Sequence, residues 1–252
     1  MADDSVILGE IRQEAERLSA LAVKQGVPLR MMGGLAIWLR SESVRKPPFA
    51  REYADMDFAA SSKGRAAVKA FVEGQGYVPE KLFNAIHGAQ RLNYAEPHGR
   101  WTMDILIDEL AMSHKLDLRG RIGGNEPTIP LADLVLTKLQ IWEINRKDLA
   151  DVMCLIADNP LGRDGDGSIG LDRIGSVLGS DWGFYHTVER NLGKVADLAA
   201  EEPVPGAPFD VRGQVDAICA AMDAAPKTMG WKARARVGER VRWYETPEEV
   251  RH

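Results

Sequence analysis

The chain has 252 residues, 45% hydrophobic and 27% charged, a globular balance that excludes a disordered, collagen-like or low-complexity protein. Its 32 basic and 37 acidic side chains leave a net charge of −5, so any contact with a polyanion must come from a local patch. Two cysteines, Cys154 and Cys219, cannot build a disulfide framework, and the five histidines show no zinc spacing. The opening residues lack the basic and apolar regions of a signal peptide, and no apolar run approaches the ~20 residues that span a bilayer. These features predict a soluble, cytoplasmic protein with no membrane partner.

Leu8, Ile11, Ala15, Leu18 and Ala22 recur at helical spacing, with Asp4 or Ser5 as cap and Gly26 as stop. Leu29 to Met32 reads as a short strand running into Gly33-Gly34, and Leu35 to about Ser43 as a helix. Pro47-Pro48 makes residues 44–50 a loop. Tyr53 to Ala59 predicts a second strand, and Ser62 caps a helix expected from Lys63 to Gln75. Gln90 to Tyr94 and Trp101 to Ile107 predict a hairpin, turned at Glu96-Pro97-His98-Gly99. Beyond Gly123-Gly124 the signals are helical, over 131–142, 147–157, 171–178, 186–199 and 211–224, with a Gly/Asp loop at 160–168. The order predicts an α+β protein: a mixed sheet flanked by helices in residues 1–125, then an all-helical domain of residues 126–252.

Four features of this plan invite chemistry. Asp55 and Asp57 share one face of the second strand, while Met56 and Phe58 take the other. Such close carboxylates repel, and strands disfavour aspartate, so either a cation neutralises them or the strand is a solvated edge. Asp104 interrupts the apolar strand of residues 101–107, where an unpaired acid costs on the order of several kcal/mol. Either a metal or an ion pair with Arg91, on the neighbouring strand, offsets that. Gly33-Gly34 is either a plain turn or a place where backbone approaches phosphate at the start of a helix. Lys138 lies on the apolar stripe of Leu131, Leu134, Val135, Ile141 and Trp142, and either snorkels to solvent or reaches a phosphate.

Together, three carboxylates suit Mg²⁺, while the glycine pair and the lysine suit a triphosphate. The combination resembles the nucleotidyltransferase superfamily, with its polymerase-β-like fold, and within it the minimal nucleotidyltransferases of the AbiEii toxin type. The resemblance runs from about Leu29 to Ala157. It rests on Met32-Gly33-Gly34-Leu35-Ala36, on Arg51-Glu52-Tyr53-Ala54-Asp55-Met56-Asp57, on the strand bearing Asp104, and on Lys138 with Lys147-Asp148-Leu149-Ala150-Asp151. It implies an enzyme that moves a nucleoside monophosphate from an NTP to a hydroxyl acceptor. Asp55, Asp57 and Asp104 would be catalytic and would hold two Mg²⁺ ions. Gly33, Gly34, Lys138, Arg91 and Asp148 would bind the nucleotide, although Asp148 could equally cap a helix. An RNA acceptor such as a tRNA end fits the toxin-like resemblance. The alternatives are a small acceptor of the aminoglycoside type and a non-catalytic binding module with an antitoxin-like partner. Two departures stand out: the gap from Gly34 to Asp55 is long, and Leu35 stands where the family often has serine or threonine.

Other chemistries fail on the residues. There is no Gly-x-x-x-x-Gly-Lys phosphate loop and no Gly-x-Gly-x-x-Gly dinucleotide turn. An EF-hand aligned on Gly167 would put Gly162 and Arg173 at its first and last ligand positions. Between residues 226 and 242, Lys227, Lys232, Arg234, Arg236, Arg240 and Arg242 stand against the single acid Glu239, with Trp231, Trp243 and Tyr244 nearby. This basic segment is either an RNA-binding surface with stacking side chains or a docking segment whose tryptophans pack on the body.

Overall fold

The computed structural model describes residue 7 and residues 9–165 and 167–246, in two compact units. The first runs to Leu39 and adds Arg51–Leu110 and Asp117–Ile129; the second comprises Arg40–Ala50, Ala111–Leu116 and the chain from Pro130. The architecture is α+β, a five-stranded mixed sheet with flanking helices followed by a helical region. No helix of the described residues is long and apolar enough to cross a membrane.

The first unit contains α1 (Ile11–Lys24), β1 (Leu29–Met32), α2 (Gly33–Arg40), β2 (Asp55–Ala60), α3 (Arg65–Gly74), β3 (Val78–Pro79), α4 (Lys81–His87), β4 (Arg91–Ala95) and β5 (Thr102–Ile107). Helix α1 begins at Ile11, where the Glu10 side chain accepts from the Gln13 N–H; the expected caps Asp4 and Ser5, and Leu8, lie outside the described residues. Ser62 does not cap α3. It lies within a 3-10 turn, and its N–H donates to Asp108 Oδ1 at 2.9 Å.

The sheet order is β1-β2-β5-β4-β3, parallel only between β2 and β5. Met56, Phe58, Leu92, Tyr94, Met103 and Ile105 are fully buried on one face, each worth about 1.5–3 kcal/mol. The alternate positions Asp55, Asp57, Arg91, Asn93, Thr102 and Asp104 share the other face and are half-buried or exposed. Along the outer side of β1 runs the segment 127–129: the Met31 N–H donates to the Pro127 carbonyl, and the Ile129 N–H to that of Met31. The Arg30 guanidinium ties this arrangement to the carbonyls of Val27, Leu29 and Gly124.

The chain passes between the units within the short strands β6 (Glu109–Ala111) and β7 (Lys115–Asp117). The second unit then holds α5 (Leu131–Leu139), α6 (Arg146–Asp158), β8 (Leu161–Gly162), β9 (Ile169–Gly170), α7 (Leu171–Ser180), α8 (Trp182–Glu201), α9 (Val211–Ala224) and α10 (Met229–Val237). Its predicted all-helical character is broken by the parallel pair β8–β9, inside and just after the expected loop. Leu134, Val152, Leu155, Ile174, Leu178, Val188, Leu192 and Ile218 form its core. Asp181 and Asp210 cap α8 and α9 by accepting the Phe184 and Gly213 N–H groups.

Candidate active site

The site begins where β1 turns into α2. Gly33 has φ +69°, a left-handed conformation that glycine adopts without strain. A Cβ there would fall onto Asp57 Oδ2, and would lie 2.9 Å from both Asp57 Cβ and Cγ. The register explains this closeness, because Met32 at the end of β1 pairs with Asp57. The first turn of α2 therefore starts against the Asp57 carboxylate. At Gly34 a Cβ would lie 2.7 Å from Arg51 Nη2 and 3.1 Å from Tyr53 Cε1. The Arg51 guanidinium lies over the Tyr53 ring, 4.3 Å from its centroid.

Across the sheet, Asp57 pairs with Asp104 and Asp55 with Thr102, so all three acids share the polar face. Asn93 is the Asp104 partner on the other side. Arg91 grips Asp104 through both oxygens, Nε to Oδ1 at 2.9 Å and Nη2 to Oδ2 at 2.6 Å, and Asn93 Nδ2 donates to Oδ1 at 2.9 Å. Hydrogen bonding to Asp104 raises the Arg91 pKa against the pull of burial, and the charges of Asp104 and Asp57 add to it. Of the two readings open for Asp104, the structure realises the ion pair.

That outcome changes the expected metal set. Among the described residues, no three His, Cys, Asp or Glu side chains are grouped to hold a metal ion. Asp55, Asp57 and Asp104 are not so grouped, and each Asp104 oxygen accepts a hydrogen bond from Arg91. Asp55 and Asp57 lie two residues apart on one strand face, and carboxylate oxygens are a donor type that suits a divalent cation.

Lys138 and Asp148 belong to the second unit, whereas Gly33, Gly34, Asp55, Asp57, Arg91 and Asp104 belong to the first. Lys138 does not snorkel. Its side chain is 13% exposed, and Nζ binds Asp148 Oδ1 at 2.5 Å and Asp151 Oδ2 at 3.2 Å. Burial works against the ammonium, but the carboxylates of Asp151 and Asp148 outweigh it and hold its pKa above the ordinary lysine value. Asp148 also joins the cap of α6: Asn145 accepts its N–H at 2.9 Å and donates Nδ2 to its Oδ2 at 2.8 Å. Sequence reasoning gave Asn93, Arg51, Tyr53 and Asp151 no role. The signal for Asn93 was there, a polar residue at spacing two from Arg91.

The basic segment divides. Trp243 meets Trp142 edge-on at 4.9 Å, Tyr244 stacks on Trp142 at 4.6 Å, and Trp231 meets Tyr185 at 5.4 Å. Arg234 donates to the carbonyls of Gly238 and Val241 and lies over Trp182. The aromatics and Arg234 thus pack within the second unit, while Lys232, Arg236, Arg240 and Arg242 are exposed. Two cavities, of about 540 Å³ beside Phe209 and about 300 Å³ beside Tyr94, are lined by none of the predicted site residues.

No protein-family model matches the sequence, and no curated protein does. Among solved structures, JHP933 from Helicobacter pylori aligns with a TM-score of 0.36 and 12% identity, over 93% of this chain and 100% of that one. A candidate nucleotidyltransferase from H. pylori gives a TM-score of 0.32 and 9% identity, over 92% of this chain and 100% of that one. At scores this low, neither likeness bears on what the site does.

Proposed function

We propose that the chain is a nucleotidyltransferase that moves a nucleoside monophosphate from an NTP to a hydroxyl acceptor and releases pyrophosphate. The observation that carries this reading is the close approach of Gly33 to Asp57. It brings a helix start, whose N–H groups favour phosphate, against a carboxylate of the Asp55–Asp57 pair. Asp55 and Asp57 would hold Mg²⁺, which when bound neutralises the phosphates and the departing pyrophosphate. Backbone N–H groups of Gly33 and Gly34 orient the phosphate chain. Arg91 and Asn93 fix Asp104 beside Asp57, keeping that part of the face rigid. The acceptor oxygen bonds to the α-phosphorus, the bridging P–O bond breaks, and the hydroxyl proton passes to a carboxylate of this face. Catalysis is assigned to residues 1–125, and acceptor binding to the helical residues 126–252.

The acceptor we favour is an RNA end, met by the exposed Lys232, Arg236, Arg240 and Arg242. One observation favours a non-catalytic module with a protein partner of the antitoxin kind: Asp104 is closed by a bidentate arginine. The deciding experiment incubates the protein with each α-labelled NTP, Mg²⁺ and total cellular RNA. Labelled RNA supports the proposal. A labelled small product points to an aminoglycoside-type acceptor, and no transfer with any NTP leaves the binding module.

A further inference from the structure

We infer that Arg51 grips the outer phosphates of the nucleotide and that Tyr53 positions it to do so. The inference rests on the nucleotidyltransferase reading and adds to it the group that distinguishes a triphosphate from a monophosphate.

Two adjacent glycines set the pattern. The space where a side chain of Gly33 would stand is taken by the Asp57 carboxylate, and the space beside Gly34 by the Arg51 guanidinium. Neighbouring residues at one helix start thus face opposite charges. A metal-bound polyphosphate carries the matching pattern, with cation toward the carboxylate and anionic oxygens toward the arginine. Leu35 comes next and offers no side-chain donor, so Arg51 is the side-chain cation that lies against this turn. Its planar fork matches two phosphate oxygens at once.

The side chain is also held before any ligand arrives. Arg51, Tyr53, Asp55 and Asp57 follow at intervals of two, and the half-buried Tyr53 ring lies 4.3 Å from the Arg51 carbon Cζ. A ring this close to the guanidinium carbon attracts the cation and restricts the arginine side chain. Tyr53 therefore acts through Arg51. The recognised chemistry is the β- and γ-phosphate pair, whatever the base.

Calorimetry on the full chain with Mg²⁺ tests this, with ATP, CTP, GTP and UTP in turn, AMP, and inorganic tripolyphosphate as probes. Arg51→Gln should weaken NTP and tripolyphosphate binding about 10- to 100-fold, the loss expected for charge-assisted hydrogen bonds, and change AMP binding less than about 2-fold. Arg51→Lys, which keeps the charge without the fork, should fall between wild type and Arg51→Gln. Tyr53→Phe keeps the ring and should bind NTP about 3- to 10-fold more tightly than Tyr53→Leu. Wild-type NTP affinity in Arg51→Gln overturns the role of Arg51 and leaves the nucleotidyltransferase reading standing. Equal loss of NTP and AMP binding overturns it as well, since that marks a structural role. A wild-type chain that binds no NTP removes both.

Discussion

Asp57 and Asp104 stand side by side in the register of the parallel strands β2 and β5, and one arginine answers to both. Arg91 binds Asp104 through its two oxygens, and its pKa is raised further by the charge of Asp57. Asp57 and Asp104 thus set two acids against one arginine, and adjacent carboxylates that outnumber their cation attract another.

Removing the arginine should therefore expose both halves of this balance. Arg91→Gln leaves the half-buried Asp104 with the Asn93 amide alone and should cost about 1–3 kcal/mol in urea unfolding. Adding Mg²⁺ should raise the unfolding midpoint of the variant more than that of wild type. Equal Mg²⁺ effects would count against a cation site on this face.

The glycine pair separates stability from binding. Gly33→Ala meets both a left-handed backbone and the Asp57 carboxylate, and should destabilise by roughly 1–3 kcal/mol. Gly34→Ala meets side-chain atoms, the Arg51 guanidinium and the edge of the Tyr53 ring, which must shift by a few tenths of an ångström and so displace the arginine. Its unfolding midpoint should stay close to wild type while its NTP affinity falls. Calorimetry and urea titration on the same two variants check both statements.

Lys138 belongs to the framework of the second unit. Lys138→Met removes the ammonium that the buried Asp148 and Asp151 share and should cost about 3–5 kcal/mol. Because the folded pKa of the lysine lies above its ordinary 10.5, its contribution is complete below that pH and is lost as pH rises through the higher folded value. Stability measured from pH 9 upward should fall more steeply in wild type than in Lys138→Met.

The acid range has two signatures. Hydrogen bonding from Arg100, aided by the backbone N–H groups of Arg100 and His98, outweighs burial and pushes the Glu96 pKa down to about 2. Its stabilisation is present above pH 4.5 and is lost as pH falls toward 2, so Glu96→Gln should flatten that limb. Burial pushes His114 down to about 4, against the weaker pull of Asp181 and Glu245. The unfolded chain takes up that proton first, so stability falls from pH 6.5 toward 4, a slope His114→Gln should remove. Urea midpoints against pH read both.

The carboxy-terminal residues divide in the same testable way. Trp243→Ala breaks the packing against Trp142 and should cost about 1–3 kcal/mol. The double change Arg236→Ala with Arg240→Ala should shift stability by less than about 0.5 kcal/mol. It should also lower the salt slope of RNA binding by roughly 0.7 for each phosphate that the variant no longer binds. A salt slope unchanged from wild type would move the RNA-binding surface elsewhere.

Apolar periodicity and turn chemistry were enough to place much of the fold. Leu29–Met32 is found as predicted, the hairpin closes at Gly99, and the alternation of Asp55 and Asp57 with Met56 and Phe58 sets the two faces of β2. Helix α4 had no such signature, because none of its residues is buried. It is held by Asn84, whose side chain exchanges hydrogen bonds with the Asn93 backbone. Helix α10 likewise buries no residue and read only as a run of charge. At the site, the acids and glycines could be found from residue type and spacing. The pairing of Arg91 with Asp104 depends on strand register, which alternation within one strand does not fix.

The flanks of the sheet carry one more consequence. An outer strand normally presents a row of open N–H and C=O groups, a template on which other chains assemble. Here β1 is covered by residues 127–129 of its own chain, and β3, at the other end, is two residues long and ends in Pro79, which has no N–H. The protein is thereby guarded against edge-to-edge aggregation on both sides, by different means. The guard at β1 is the conditional one, since it hangs on a strap that Arg30 fastens through the Gly124 carbonyl. Loosening that strap would turn a closed sheet into one that can be extended by its neighbours.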